Sequence, residues 1–156
     1  MLEQVSRNLA GWSYEIVATD LNDNSILKCI EGLYDEYAIR NLSAHMRDRY
    51  FQKEGSFYRV RDQVRAAVKF ERLNLQDESR ILFMKGFDLI FCCNVLIYFD
   101  VNSKRRTVEH FHSGLLPGGY FFLGDFESLH GISEPLWLVH FPSAIAYCKA
   151  PLGEAQ

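Results

Sequence analysis

Asp20, Asn74 and Asn94 each close a short run of apolar and β-branched residues. In an open α/β sheet, ligands sit at the carboxyl ends of the strands, where such residues are delivered. Asp20 ends the run Tyr14-Glu15-Ile16-Val17-Ala18-Thr19, and an acid there can accept both hydroxyls of a ribose. Asn74 follows Phe70-Glu71-Arg72-Leu73, where a side-chain amide and nearby backbone can read an adenine edge. Asn94 follows the most apolar run, from Phe87 to Cys93, where an amide can grip the amino-acid end of a ligand. Asp and Asn also favour helix caps and turns, so any one of them alone reads more simply as a local turn former. Three at consecutive strand ends point to a nucleotide-like ligand.

Other chemistry-bearing residues are less well arranged. His110 and His112 stand two apart on an expected helix and do not share a face, which argues against a metal pair. Cys92 and Cys93 are vicinal in an apolar run, where both read as small buried hydrophobes. No GxSxG, HExxH or P-loop pattern occurs. Arg59, Arg61, Arg65, Lys69 and Arg72 are interleaved with Asp62 and Glu71, so a solvated face is expected ahead of a docking patch for an acidic protein.

The elements that must position these residues alternate. Leu2, Val5 and Leu9 have helical spacing and stop at Gly11. After the strand ending at Asp20, Asn22 or Asn24 caps a helix carrying Ile26, Leu27 and Ile30, closed by Gly32. Residues 43–50 suit another helix, and the aromatic run around Lys53-Glu54-Gly55-Ser56 suits a hairpin. Strands are expected at 68–73 and at 87–93, the latter covered on both faces because it is almost wholly apolar. A helix over 101–115 leads to the turn Leu116-Pro117-Gly118-Gly119, a strand over 120–124, and a final strand pair broken at Pro142. The pattern is that of a parallel α/β sheet with a small antiparallel insertion, near residues 49–70, in one domain over 1–156.

Composition narrows the possibilities further. Seventeen basic against twenty acidic residues give a net charge of −3, which argues against nucleic acid as a partner. With 48% hydrophobic residues the chain can fold around a core, and no apolar stretch approaches the roughly 20 residues of a membrane span. The first twelve residues lack the basic start and apolar core of a signal peptide, and four cysteines without CxxC spacing suit a reducing compartment. A cytoplasmic protein is expected.

The block Phe87-Asp88-Leu89-Ile90-Phe91-Cys92-Cys93-Asn94-Val95-Leu96-Ile97-Tyr98-Phe99-Asp100 resembles the signature of the CheR family, the chemotaxis receptor methyltransferases. Ala18-Thr19-Asp20-Leu21, Arg49-Tyr50-Phe51, Tyr58-Arg59-Val60, Phe70 to Leu75, Leu116 to Tyr120 and Glu127-Ser128-Leu129 extend the resemblance over nearly the whole chain. It implies a Rossmann-like class I fold that uses S-adenosylmethionine, releases S-adenosylhomocysteine, and methylates glutamate side chains on the cytoplasmic domains of chemotaxis receptors. By the same resemblance Asp20 holds the ribose, Asn74 and Leu75 frame the adenine, and Cys93 and Asn94 line the methionine end. Tyr98 neighbours the transferred methyl or the acceptor carboxylate, with a core tyrosine as the equal alternative.

Departures from that pattern set further expectations. The family's Gly-rich first cofactor loop, with the strand before it, has no counterpart in these residues. Arginine is usual where Cys93 stands, and His-Ser where Asp125-Phe126 stands. The short hairpin loop disfavours docking on a receptor's tethering peptide. The expected missing strand lies between those ending at Asp20 and Asn94, so both would lack a partner on one edge. The chain therefore reads as the C-terminal part of a longer methyltransferase, or alternatively as a non-catalytic CheR-like binding module in a signalling pathway.

Overall fold

Local signals account for most of the elements. Asn22 caps helix α1 (Asp23–Glu31) by accepting the Asn24 N–H at 2.8 Å. Gly32 then ends it in the left-handed region at φ 65°, its N–H bonded to the Lys28 carbonyl. A computed structural model describes residues 13–132, 136–142, 144–151 and 153, so the helix expected over residues 2–11 lies outside the described residues. The chain forms two compact units, Met1–Leu73 and Asn74–Gln156.

In the first unit, β1 (Ile16–Asp20) runs parallel to β5 (Val68–Arg72), with Ile16 opposite Val68 and Asp20 opposite Arg72. The Leu73 N–H extends the pairing to the Asp20 carbonyl at 3.0 Å. Between them in sequence, α2 (Ala44–Tyr50), capped by Ser43, leads into the expected hairpin of β3 (Phe51–Glu54) and β4 (Phe57–Val60). A third strand, β2 (Leu33–Asp35), pairs antiparallel with β4 and makes the order β2-β4-β3. Three residues directly after a helix stop are too few to show a period of two, so the sequence reads past them. A single turn, α3 (Asp62–Arg65), precedes β5.

The charges of the basic stretch are paired within the first unit, with Arg61 and Lys69 exposed and Arg59 and Arg65 half-buried. Arg59 pairs with Glu54 at 2.7 Å, Arg65 with Asp62 at 3.3 Å and Lys69 with Glu15 at 2.7 Å. Arg61 donates to the Asp48 carbonyl and Arg72 to that of Leu21. Exposed pairs of this kind contribute little stability each, but they occupy the charges that a docking patch would have to offer.

The second unit is a four-stranded sheet in the order β6-β7-β9-β8: β6 (Phe87–Cys92), β7 (Leu115–Leu123), β8 (Leu136–Phe141) and β9 (Ala144–Lys149). One turn, α4 (Glu78–Ile81), precedes β6. The β6–β7 pair is parallel, and the rest of the sheet is antiparallel. Helix α5 (Val101–Gly114), capped by Asp100, connects β6 to β7. The expected Pro-Gly-Gly turn interrupts β7: the register passes from Phe87 opposite Leu115 to Leu89 opposite Tyr120, and Gly118 has φ 80°. Val108 and Phe121 are fully buried, and Cys92, Leu96, Leu115 and Leu129 complete the core. Thr107, also fully buried, accepts from the Gln76 side-chain amide at 3.0 Å.

Strand β6 is not covered on both faces. Ile90 and Cys92 turn to the core, whereas Phe91 is 63% exposed and stacks on Phe122 at 4.7 Å. Tyr120 and Phe122 both pack on Phe141, so this second face is an aromatic layer of the sheet itself. Cross-strand aromatic contact provides part of the shelter that the apolar run suggests would come from a second covering layer. Among the described residues β1 pairs with β5 alone and β6 with β7 alone, so each sheet keeps an open edge at the strands expected to lack a neighbour.

Gly114 ends α5 under tight packing. A Cβ there would come within 2.6 Å of the Met84 carbonyl oxygen. Alanine is about 1 kcal/mol better than glycine inside a helix. Gly114→Ala is nonetheless expected to destabilise by about 1–3 kcal/mol, as overpacking does. Urea denaturation monitored by circular dichroism measures it, and a raised midpoint would contradict the close approach.

Candidate cofactor site

At the end of β1, the Asp20 carboxylate accepts the Asn22 N–H on Oδ1 at 2.7 Å. The turn-former role is therefore real, but it engages one oxygen of an exposed carboxylate that has a second to offer a ligand. Arg72, opposite Asp20 in register, directs its Nε to the Leu21 carbonyl at 3.1 Å and lies 3.5 Å from Asp23. Asn74 forms a similar turn, its Oδ1 accepting the Gln76 N–H at 2.9 Å. Leu75 is half-buried against the core of the second unit.

After β6 the chain enters a short loop and a 3-10 turn, Leu96–Tyr98. Asn94 has φ 59°, the left-handed region that most side chains avoid and Asn tolerates. Glu127, well beyond it in sequence, holds this conformation. Its Oε2 accepts the N–H groups of Asn94 at 2.7 Å and Gly124 at 3.1 Å. Its Oε1 accepts those of Val95 at 3.0 Å and Ile97 at 3.2 Å. Burial alone would raise the Glu127 pKa, but the backbone donors, Asn94 and Gly124 foremost, outweigh it and hold the carboxyl below its ordinary value. Leu96, almost fully buried, anchors the same segment from the apolar side.

The two cysteines part company. Cys92 is buried as expected, and burial first, then the Glu127 charge, pushes its thiol up to about 12. Cys93 lies beyond the end of the strand and is exposed, contrary to the expectation for both. Its thiol is pushed up as well, by desolvation first and then by Glu127 and Asp125, so neither cysteine is a thiolate near neutral pH. Tyr98 is 81% exposed, which removes the core-tyrosine alternative. Phe126, in the turn before Glu127, is 90% exposed.

Cys93, Asn94 and Tyr98 thus stand on one segment at the carboxyl end of β6, and Asn74 and Leu75 belong to the same unit. Asp20 belongs to the other unit. Sequence reasoning gave Glu127 no role. The available signal was an acid just after the strand ending at Leu123-Gly124, but nothing in the sequence says that its partners are backbone amides.

Gly124 is required where it stands. A Cβ would meet Asn94 Oδ1 at 2.9 Å, the Asn94 nitrogen at 3.1 Å and Glu127 Oε2 at 3.1 Å. Gly124→Ala is expected to cost about 1–3 kcal/mol by forcing these groups apart. Thermal denaturation checks this, and an unchanged midpoint would contradict the packing.

The fold has solved counterparts. The N-methyltransferase NodS from Bradyrhizobium japonicum, in complex with S-adenosyl-L-homocysteine, aligns with 94% of this chain and 71% of its own at a TM-score of 0.54 and 16% identity. A second structure of NodS aligns with 92% of this chain and 78% of its own at a TM-score of 0.52 and 13% identity. The fold is that of a class I S-adenosylmethionine-dependent methyltransferase.

Residues 1–145 match the family described as CheR methyltransferase, SAM binding domain. Chemotaxis protein methyltransferase 2 of Vibrio cholerae is 34% identical over 144 residues, covering 91% of this chain and 50% of the relative. Chemotaxis protein methyltransferase Cher2 of Pseudomonas putida is 40% identical over 135 residues, covering 85% of this chain and 48% of the relative. The chain belongs to the CheR methyltransferase family, whose cofactor is S-adenosylmethionine. It spans about half the length of the curated relatives it matches. No helix among the described residues is long and apolar enough to cross a membrane.

Proposed function

We propose that this chain supplies the S-adenosylmethionine-binding part of a protein-glutamate O-methyltransferase that acts on the cytoplasmic domains of chemotaxis receptors. The observation that carries the proposal is the family match over residues 1–145. The two units are parts of one methyltransferase domain in this reading, with residues 49–70 as its inserted β-subdomain.

The residues fit the cofactor chemically. Asp20 offers a carboxylate oxygen to the ribose hydroxyls, Asn74 and Leu75 an amide and an apolar edge to the adenine. Asn94, with Cys93 beside it, presents its amide to the methionine end from a fixed backbone. When bound, S-adenosylmethionine supplies an electrophilic methyl group. The acceptor needs no base from the protein, because a glutamate with a pKa near ~4.3 is already a carboxylate. What the chain's residues must do is align that carboxylate and keep water away, and orientation of this kind can contribute roughly 7–11 kcal/mol. Tyr98, exposed at the end of the same segment, takes the role of contacting the acceptor in this reading.

The exposed Cys93 thiol, where the family usually has arginine, favours a second reading, a non-catalytic binding module. Calorimetric titration of the folded chain with S-adenosylhomocysteine, followed by transfer of labelled methyl groups to receptor cytoplasmic fragments, separates the two. Micromolar binding with transfer supports the enzyme. Binding without transfer supports the module, and no binding by a folded chain overturns the cofactor-site reading for this chain.

A further inference from the structure

Glu127 has no assigned role, yet the segment after β6 is built on it. Four backbone N–H groups, those of Asn94, Val95, Ile97 and Gly124, converge on its two oxygens at 2.7–3.2 Å. A carboxylate has about four lone-pair sites, and all four are taken. Glu127 therefore cannot also act as a base or grip a ligand through these oxygens. We propose that Glu127 is a positioning residue, whose ionised carboxylate holds the segment from Asn94 to Ile97 in the form that presents Asn94 to the cofactor.

Three observations support this. The bonds are charge-assisted and therefore stronger than the neutral contacts of an ordinary turn. Asn94 is the one non-glycine residue with positive φ among the described residues, and its own N–H makes the shortest of the four bonds. Gly124 leaves no room for a side chain between Asn94 and Glu127, so the loop is seated directly on the end of β7. The titratable groups that feel the carboxylate are the Cys92 and Cys93 thiols; both are uncharged near neutral pH, so protonation of Glu127 is the event that loosens the segment on acidification. With its pKa lowered in the folded state, the hold is complete above the ordinary glutamate range and is lost as pH falls through the lowered value.

The inference about cofactor presentation rests on the proposed function, but the hold itself can be tested without a ligand. In the 156-residue chain, the amide resonances of Asn94, Val95, Ile97 and Gly124 are followed against pH. They are expected to move together with one midpoint below the ordinary glutamate value, and independent midpoints would overturn the hold. Glu127→Gln keeps the shape but turns an N–H₂ toward N–H donors. It is expected to speed exchange of these four amides at least about tenfold while the Phe121 and Ala146 amides keep their protection. Unchanged exchange, or equal loss at Phe121, would refute the positioning role. S-adenosylhomocysteine affinity should fall at least about tenfold in the variant, and retained affinity with loosened amides would overturn presentation to the cofactor. If the native chain binds no S-adenosylhomocysteine while its four amides titrate together, the cofactor-site reading and presentation to the cofactor fail for this chain and the hold stands. If the variant does not fold, the native titration still decides the hold.

Discussion

Asp20→Ala is expected to weaken S-adenosylhomocysteine binding by about 100-fold or more, read by calorimetry. Hydrogen bonds to a charged acceptor contribute about 1.5–3 kcal/mol each, and two ribose hydroxyls would lose theirs together. The substitution also removes the acceptor for the N–H of Asn22, the residue whose own side chain caps α1, so part of the loss arises from the turn. Asp20→Asn separates the two effects. It keeps an oxygen for Asn22 and gives up the charge, so it should leave the thermal midpoint close to native while still weakening binding by about tenfold. Binding of Asp20→Ala at native strength would remove Asp20 from the cofactor site.

The largest stability effect is expected at Phe121. It is fully buried between Phe111, 5.2 Å away between ring centres, and Tyr147, at 6.4 Å. Phe121→Ala should cost about 3–5 kcal/mol from lost transfer energy and the cavity left behind. Whole domains are stable by only about 5–15 kcal/mol, so the second unit should unfold at much lower urea. Phe91→Ala, one strand away on the exposed aromatic layer, serves as the control and should cost less than half as much. Equal effects at the two positions would mean that both sheet faces are covered in solution.

Legibility from sequence followed the range of the interactions. Asn22 caps α1 through bonds within three residues and Gly32 stops it by its own φ, so the sequence announces both directly. The end of β1 at Asp20 was legible for the same reason, since an apolar run and the polar residue that closes it are local. The exposure of Phe91 was not, because it depends on Phe122 and Phe141 across the sheet. Nor was Cys93 distinguishable from Cys92, since the two thiols differ only in where the strand stops. Glu127 was hidden most completely: its partners are main-chain amides, which carry no residue identity at all.

That arrangement ties together three positions far apart in the chain. Asn94 tolerates its backbone conformation, Gly124 leaves the space, and Glu127 supplies the acceptors. Residues that share partners in this way do not contribute independently: once one is replaced, the other two have little left to lose. The second substitution in any pair should therefore cost far less than the first. A library that varies these sites one at a time would rank all three as intolerant and miss combinations that restore a workable loop. Mutational tolerance at this end of the sheet belongs to the trio, not to its members.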